Sequence, residues 1–391
     1  MYKYGLPHRA SMIVNSLSRP HQHINSTGFS RSQQFHNLPL HFLTKYILLE
    51  RSAITARIKL SNTINIPPAT PSEMAKLITI VGATGAQGKG VVRAFINNPA
   101  YQVRAITRNP SSPAGQALAA QGAEVVAANL NDLASLKTAF AGSHIIFAVT
   151  NFFEPFITHQ SPDKAMEIEL HQGTNLATAA AATPTLEHYI WSTLPNALAL
   201  SANKYLIPHF EGKNRIDAHI QSLPSLLAKT TFFWVTWYHS NYAFPMFRPY
   251  LIPTAGKHLQ IANYAPETPI TTIGDVSANV GAFVKAAVEQ GEKTRGGAVV
   301  LAATETHRAG DMLQLWARAR GTKAQLVRVS GEAFREIWPL WAEEMGVMME
   351  FWDEYRERSW TRADGGKVLG KEDLGVTEFQ GLEEAYKGLE L

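Results

Sequence analysis

Cysteine is absent from all 391 residues, and that gap removes a whole set of chemistries. Disulfides, thiolate nucleophiles, zinc–cysteine sites and iron–sulfur clusters are excluded, and a reducing compartment is compatible with the chain. None of the 14 histidines stands in a His-Glu-x-x-His or comparable ligand spacing, so no metal is expected. No run approaches the ~18 consecutive apolar residues of a membrane-spanning helix, so no membrane partner is expected. Charge of one sign is scarce as well. The formal net charge is only +4 and the basic residues are scattered, which argues against a nucleic-acid partner. What is present, 45% hydrophobic and 17% charged residues, is the balance of a globular protein, long enough for a large α/β domain with a smaller lobe.

Acids are nearly missing from residues 1–73, where Glu50 and Glu73 stand against Lys3, Arg9, Arg19, Arg31, Lys45, Arg51, Arg57 and Lys59 in a Ser- and Asn-rich background. Two readings stay open: an organellar transit peptide, or a disordered or spurious extension before Met74. Residues 38–49 are apolar but too short to span a membrane. The expected location is the cytoplasm, with the nucleus, or an organelle reached through these 73 residues, left open.

From Lys76 onward short apolar runs alternate with helical segments. Residues 77–81, 101–107, 123–127, 143–150 and 186–192 read as strands. Residues 90–97, 113–121, 133–140 and 161–182 read as the helices between them. Strand, helix, strand in this rhythm predicts an α/β fold: a Rossmann-type, doubly wound parallel sheet with right-handed crossovers. After a helix at 209–221 and an aromatic strand at 230–237 the pattern loosens. Residues 241–269 read as loop with short strands; 275–289, 298–302, 309–320 and 324–329 read as helix, strand, helix, strand.

The segment Gly82-Ala83-Thr84-Gly85-Ala86-Gln87-Gly88 follows the first strand and opens the first helix. In that context the three spaced glycines are a dinucleotide fingerprint. Glycine permits the tight turn and lets backbone approach a pyrophosphate, to which the helix N-terminus offers unpaired N–H groups and its positive dipole end. The second strand closes on Thr107-Arg108, and no acid lies between Glu73 and Glu124. An acid here would hold a ribose 2′-hydroxyl; an arginine accommodates a 2′-phosphate, so Arg108 points to NADP(H). After the third strand comes Asn129-Leu130-Asn131-Asp132, where Asn131 or Asp132 would meet the adenine edge. Asp132 reads equally well as the N-cap of the next helix. Thr150, Asn151 and Phe152 end the fourth strand, on the nicotinamide side of a pocket at the carboxyl ends of the strands. The expected organisation is a dinucleotide-binding domain over 74–240. A smaller C-terminal α/β substrate or lid lobe follows over 241–391, with some elements returning to the sheet.

Together with Thr107-Arg108-Asn109-Pro110, Glu169-Leu170-His171-Gln172-Gly173, Trp191-Ser192-Thr193-Leu194, His209-Phe210-Glu211-Gly212-Lys213 and Ile273-Gly274-Asp275-Val276, this turn resembles the NmrA-like members of the short-chain dehydrogenase/reductase superfamily, of the atypical kind. The resemblance runs in order over about residues 76–360. It implies a Rossmann domain with a small C-terminal lobe and an NADP(H) site. Classical members of the superfamily use a Tyr-x-x-x-Lys pair and a serine: lysine holds the nicotinamide ribose and lowers the tyrosine pKa, so the phenol passes a proton to or from substrate. Here Lys213 has the lysine's place and Ser192 or Thr193 the serine's. His209, one helical turn before Lys213, stands where the tyrosine would be, and Tyr205 lies outside the motif. Histidine can donate a proton, or can serve only packing; both readings stay open.

Two functions follow from the resemblance. One is a redox sensor, a regulatory binding module in which NADP(H) occupancy biases contact with a protein regulator; the missing tyrosine favours it. The other is an NADPH-dependent oxidoreductase reducing a small aromatic, quinone-like or secondary-metabolite substrate. It draws on Lys213, Ser192 and the aromatics Trp234, Trp237, Tyr238, Tyr242 and Phe244, which read either as a flat pocket or as core. The Trp- and Met-rich stretch 334–355 reads as a lid, lobe core or interaction surface. No feature of the sequence speaks to oligomeric state.

Overall fold

The strand–helix rhythm builds β1 (Lys76–Ile80), α1 (Ala86–Phe95), β2 (Tyr101–Thr107), α2 (Pro113–Ala120), β3 (Glu124–Ala127), α3 (Leu133–Phe140) and β4 (Ile145–Ala148). It continues through α4 (Phe153–His159), α5 (Pro162–Ala181), β5 (His188–Thr193), α6 (Pro208–Gln221) and β6 (Thr230–Val235). The computed structural model describes residues 75–390, so the readings made for residues 1–73 lie outside the described residues. The later strands are β7 (Trp237–Tyr238), β8 (Tyr250–Ile252), β9 (Lys257–Ala262), β10 (Pro269–Gly274), β11 (Ala298–Ala302), β12 (Glu305–Arg308), β13 (Ala324–Arg328) and β14 (Val368–Leu369). Among the helices between and after them are α7 (Val276–Glu289), α8 (Ala309–Ala319), α9 (Val347–Tyr355) and α10 (Leu382–Lys387).

Eight strands form one sheet in the order β3-β2-β1-β4-β5-β6-β11-β14, and every pairing in it is parallel. The doubly wound α/β architecture expected from the sequence is therefore the one found. Side chains alternate across the sheet. Ile78, Ile80, Phe147 and Phe233 face Val91, Phe95, Val280 and Val284 of α1 and α7. Ile146, Tyr189, Trp191 and Phe232 face Leu136, Leu176 and Ile216 of α3, α5 and α6. Covered on both sides, β5 and β6 are buried at every position, including the polar His188, Ser192, Thr193, Thr230 and Thr231.

The strand order reverses between β1 and β4, so the chain leaves their carboxyl ends in opposite directions and opens a crevice there. The C-terminal half is shared out. β11 and β14 extend the large sheet, whereas β12-β10-β7 and β13-β9-β8 form two small three-stranded sheets. β10 and β12 escape a reading by periodicity: one is bounded by Pro269 and Gly274, and the other is Glu-Thr-His-Arg, polar at every position. Both are strands because each completes the other's hydrogen bonds. Among the described residues, no helix is long and apolar enough to cross a membrane.

α1 and α7 pack on one sheet face at two glycines. A Cβ at Gly281 would lie 2.3 Å from the Gly90 carbonyl oxygen, and one at Gly90 would lie 2.6 Å from Val280 Cγ1. Gly281→Ala should therefore destabilise the protein by about 1–3 kcal/mol through overpacking. Thermal denaturation checks this: an unchanged melting temperature would mean that the helices separate freely.

Candidate functional site

Gly82 turns the chain after β1 in the left-handed region, at φ 66°, and the Gly85 N–H donates back to its carbonyl at 2.8 Å. A Cβ at Gly88 would stand 2.1 Å from that same oxygen, so only glycine lets α1 start this close to β1. The N-cap of α1 is Gly85; no side chain caps the helix and no acid lies in its first turn. Its N-terminal N–H groups and positive dipole end are left for an anion. A cleft of about 770 Å³ opens over this turn and is lined by Gly82, Thr84, Gly85, Ala86, Gln87 and Gly88.

Of the other residues singled out in the sequence, Arg108, Asn131, Thr150, Asn151, Phe152, Ser192, His209 and Lys213 line the same cleft. Asp132 does not; its carboxylate accepts from the N–H groups of Ala134 (2.9 Å) and Ser135 (3.3 Å) as the N-cap of α3. The Arg108 side chain is 75% exposed, and its guanidinium donates to Glu154 of α4 at 2.5 Å. Asn151 Oδ1 accepts from the Phe153 N–H at 3.1 Å in a turn that leads into α4, a helix where the sequence reads as the end of a strand.

Lys213 is buried, and its ammonium donates to Glu169 Oε1 (2.8 Å) and Thr150 Oγ1 (2.9 Å). Thr150 in turn donates to Glu169 at 2.7 Å, while the second oxygen of Glu169 has no partner among the described residues. Lys213 thus ties the end of β4 to α5 as well as facing the cleft. Ser192 Oγ donates to Gln87 Oε1 at 2.8 Å, and Gln87 Nε2 donates to the Tyr238 hydroxyl at 2.7 Å. Burial pushes the Tyr238 phenol up to about 12 against that hydrogen bond, so it stays protonated near neutral pH. His209 is buried with its Nδ1 on the carboxylate of Glu344, which is fully enclosed.

Beyond His209 the wall turns aromatic. Phe153 lies 5.4 Å from the His209 ring, 5.9 Å from Phe244 and 6.4 Å from Trp341, ring centre to ring centre. Trp237, Tyr238, Met345, Met348 and Trp352 complete it. Trp234 and Tyr242 belong to the core instead, Tyr242 stacked on Tyr386 at 5.2 Å. The acids Glu154, Glu169 and Glu344 were not found by sequence reasoning. Glu169 alone left a trace, as the first residue of the segment Glu169-Leu170-His171-Gln172-Gly173; Glu344 is one of several acids in the 334–355 stretch and nothing in the sequence sets it apart.

Two predictions test the polar floor. Removing Lys213 strands a buried carboxylate, so Lys213→Met should cost about 3–5 kcal/mol, much of it recovered in Lys213→Met/Glu169→Gln; urea denaturation would show no recovery if the pair is not structural. Asp217 of α6 accepts from Trp191 Nε1 (2.7 Å) and Thr193 Oγ1 (2.9 Å). Burial pushes its carboxyl up to about 7, against those hydrogen bonds and the Lys213 charge. The folded state therefore binds this proton more tightly than the unfolded chain. The resulting stability is complete below about pH 4 and is lost as pH rises toward 7. Asp217→Asn should lose less stability than wild type between pH 5 and 8, and parallel pH curves of melting temperature would contradict this.

With that geometry in place, the chain can be set beside known proteins. The family model described as NmrA-like family matches residues 74–381. An NmrA-like family domain-containing oxidoreductase of Aspergillus hancockii is 37% identical over 179 residues, 45% of this chain and 49% of that protein. One of Cladobotryum sp. is 32% identical over 169 residues, 43% of this chain and 48% of that protein. The chain spans about half the length of the curated relatives it matches. Among solved structures, NmrA, a negative transcriptional regulator, in complex with NADP has a TM-score of 0.61 at 20% identity, over 81% of this chain and 95% of that one. The triphenylmethane reductase of Citrobacter sp., complexed with NADP(H), has a TM-score of 0.56 at 18% identity, over 79% and 98%. At these identities the structures share the fold; the family match over 74–381 goes further, and the chain belongs to the NmrA-like family.

Proposed function

We propose that the chain binds NADP(H) in this cleft and is an oxidoreductase that reduces a small aromatic or quinone-like substrate. The observation that carries the reading is His209, a side chain able to carry a proton, set in the cleft wall where a polar floor meets an aromatic chamber. The residues fit the cofactor. Gly82, Thr84, Gly85, Ala86, Gln87 and Gly88 line the cleft beneath the uncapped start of α1, Arg108 offers a cation for a 2′-phosphate, and Asn131 is assigned to the adenine side. Thr150, Asn151, Phe152 and Lys213 line the nicotinamide side, with Ser192 held there through Gln87. Bound NADPH would supply a hydride; the chain supplies an apolar, aromatic wall from both its halves and the proton from His209. The Aspergillus and Cladobotryum relatives carry the name oxidoreductase, which supports the same reading.

A second reading, the redox sensor, draws on the Arg108–Glu154 pair. A 2′-phosphate arriving at Arg108 competes with Glu154 and so shifts α4, a cofactor-dependent change that a protein regulator could detect. NmrA, a fold neighbour, is described as a negative transcriptional regulator.

Titration of the full chain with NADPH and NADH, followed by NADPH consumption with quinones, aromatic ketones and triarylmethane dyes, tests both. Arg108→Ala should weaken NADPH about tenfold or more and leave NADH nearly unchanged; Glu154→Gln should tighten NADPH. Equal loss of both cofactors in Arg108→Ala would remove the 2′-phosphate role. Tight binding without turnover on any compound class would favour the sensor.

A further inference from the structure

The geometry points to Glu344 as a positioning residue that holds His209 as the proton donor of this reduction, a role that rests on the oxidoreductase reading above. Glu344 is 135 residues from His209 in the chain. It sits in a π-helical turn, Ala342–Gly346, that leads directly into α9. Such single turns are rare and often mark functional positions, because the extra residue re-aims a side chain. Here the side chain aimed inward is a carboxylate with no exposed surface. One of its oxygens meets His209 Nδ1 and, among the described residues, the other has no partner. A buried carboxylate left half satisfied is costly. Packing alone would be better served by an apolar residue, as at the neighbouring Met345, Met348 and Met349.

What the carboxylate does is specific to the imidazole. It accepts from Nδ1–H, which fixes the ring's orientation and leaves Nε2 as the nitrogen available for chemistry. Among the described residues Nε2 has no hydrogen-bond partner, while His209 lines the cleft beside Phe153. The nearby cation, Lys213, is already engaged with Glu169, and Glu211 accepts from Arg215, so neither competes for the ring. In the reduction a substrate carbonyl carbon gains a hydride, with NADPH as its source, and the C=O π pair moves to oxygen. The Nε2–H bond of the doubly protonated ring breaks and its proton forms the new O–H bond. The neutral ring keeps Nδ1–H on Glu344 and takes its next proton from solvent.

The test uses the full chain, NADPH and 9,10-phenanthrenequinone. Glu344→Gln and Glu344→Leu should each lower kcat about 10- to 100-fold, with KM and NADPH affinity changed less than about twofold. In a His209→Ala background neither should lower kcat further, as expected for residues acting as a unit. Nitrogen-15 NMR of the His209 ring should show Nδ1 protonated in wild type and mixed tautomers in Glu344→Leu. Unchanged kcat in both Glu344 variants, or a full extra loss in His209→Ala, overturns the proposal. Quinone turnover by a wild type whose Nδ1 carries no proton overturns the Glu344 role alone. Absence of turnover with Nδ1–H intact overturns the oxidoreductase reading and this role with it.

Discussion

A side chain at Gly88 would place its Cβ 2.1 Å from the Gly82 carbonyl oxygen, so α1 reaches its position against β1 only because that residue has none. Two consequences follow from this one approach. The uncapped N-terminus of α1 is held at the point where the strand order reverses, giving the crevice a fixed positive end. The same helix, two residues further on, meets α7 at Gly90 and Gly281. That crossing clamps a segment from the C-terminal half onto the sheet and lets β11 pair with β6. The anion cradle and the docking of the far half of the chain thus share one helix.

The cleft is also organised by three acids, each holding one of its basic side chains. Their energetic meaning differs with burial. Arg108–Glu154 is solvated and contributes little to stability; its effect is local, tying the loop after β2 to α4. Lys213–Glu169 and His209–Glu344 are enclosed. There, removing one partner leaves a charge or polar group without compensation. An activity loss in a Lys213 variant alone therefore does not identify a cofactor contact, because the floor formed by Thr150 and Glu169 changes with it.

Much of the fold was legible because its signals are local. The apolar strands of the large sheet, the glycine turn and the capping role open to Asp132 all depend on neighbours within a few residues. The departures have the opposite character. β10 and β12 lack an apolar pattern and exist through each other's hydrogen bonds. α4 begins just after a turn in which Asn151 Oδ1 accepts from the Phe153 N–H, inside a stretch whose aromatics look like the end of a strand. The acids of the site were invisible because pairing across 46, 44 and 135 residues leaves no spacing to read. The aromatics divided for a related reason: Trp237 and Tyr238 face the cleft whereas Trp234 joins the core, and only the register of β6 and the turn after it decides which.

The histidine at the tyrosine position shows how position and partner together change a chemical reading. By residue type alone, replacing a phenol by an imidazole one turn before Lys213 looks like lost chemistry, and a binding-only role follows. A phenol in this cleft would need a neighbouring cation to become a useful acid near neutral pH; the buried Tyr238, pushed up to about 12, illustrates the difficulty. An imidazole needs something else, a group that fixes one nitrogen so that the other can exchange a proton. Lys213, drawn to Glu169, is poorly placed to tune a phenol. Glu344, delivered by the π turn from the C-terminal half, is placed to orient an imidazole. The imidazole and the carboxylate are thus parts of one arrangement, and that arrangement brings the C-terminal half to the His209 end of the cleft as well as to its apolar wall.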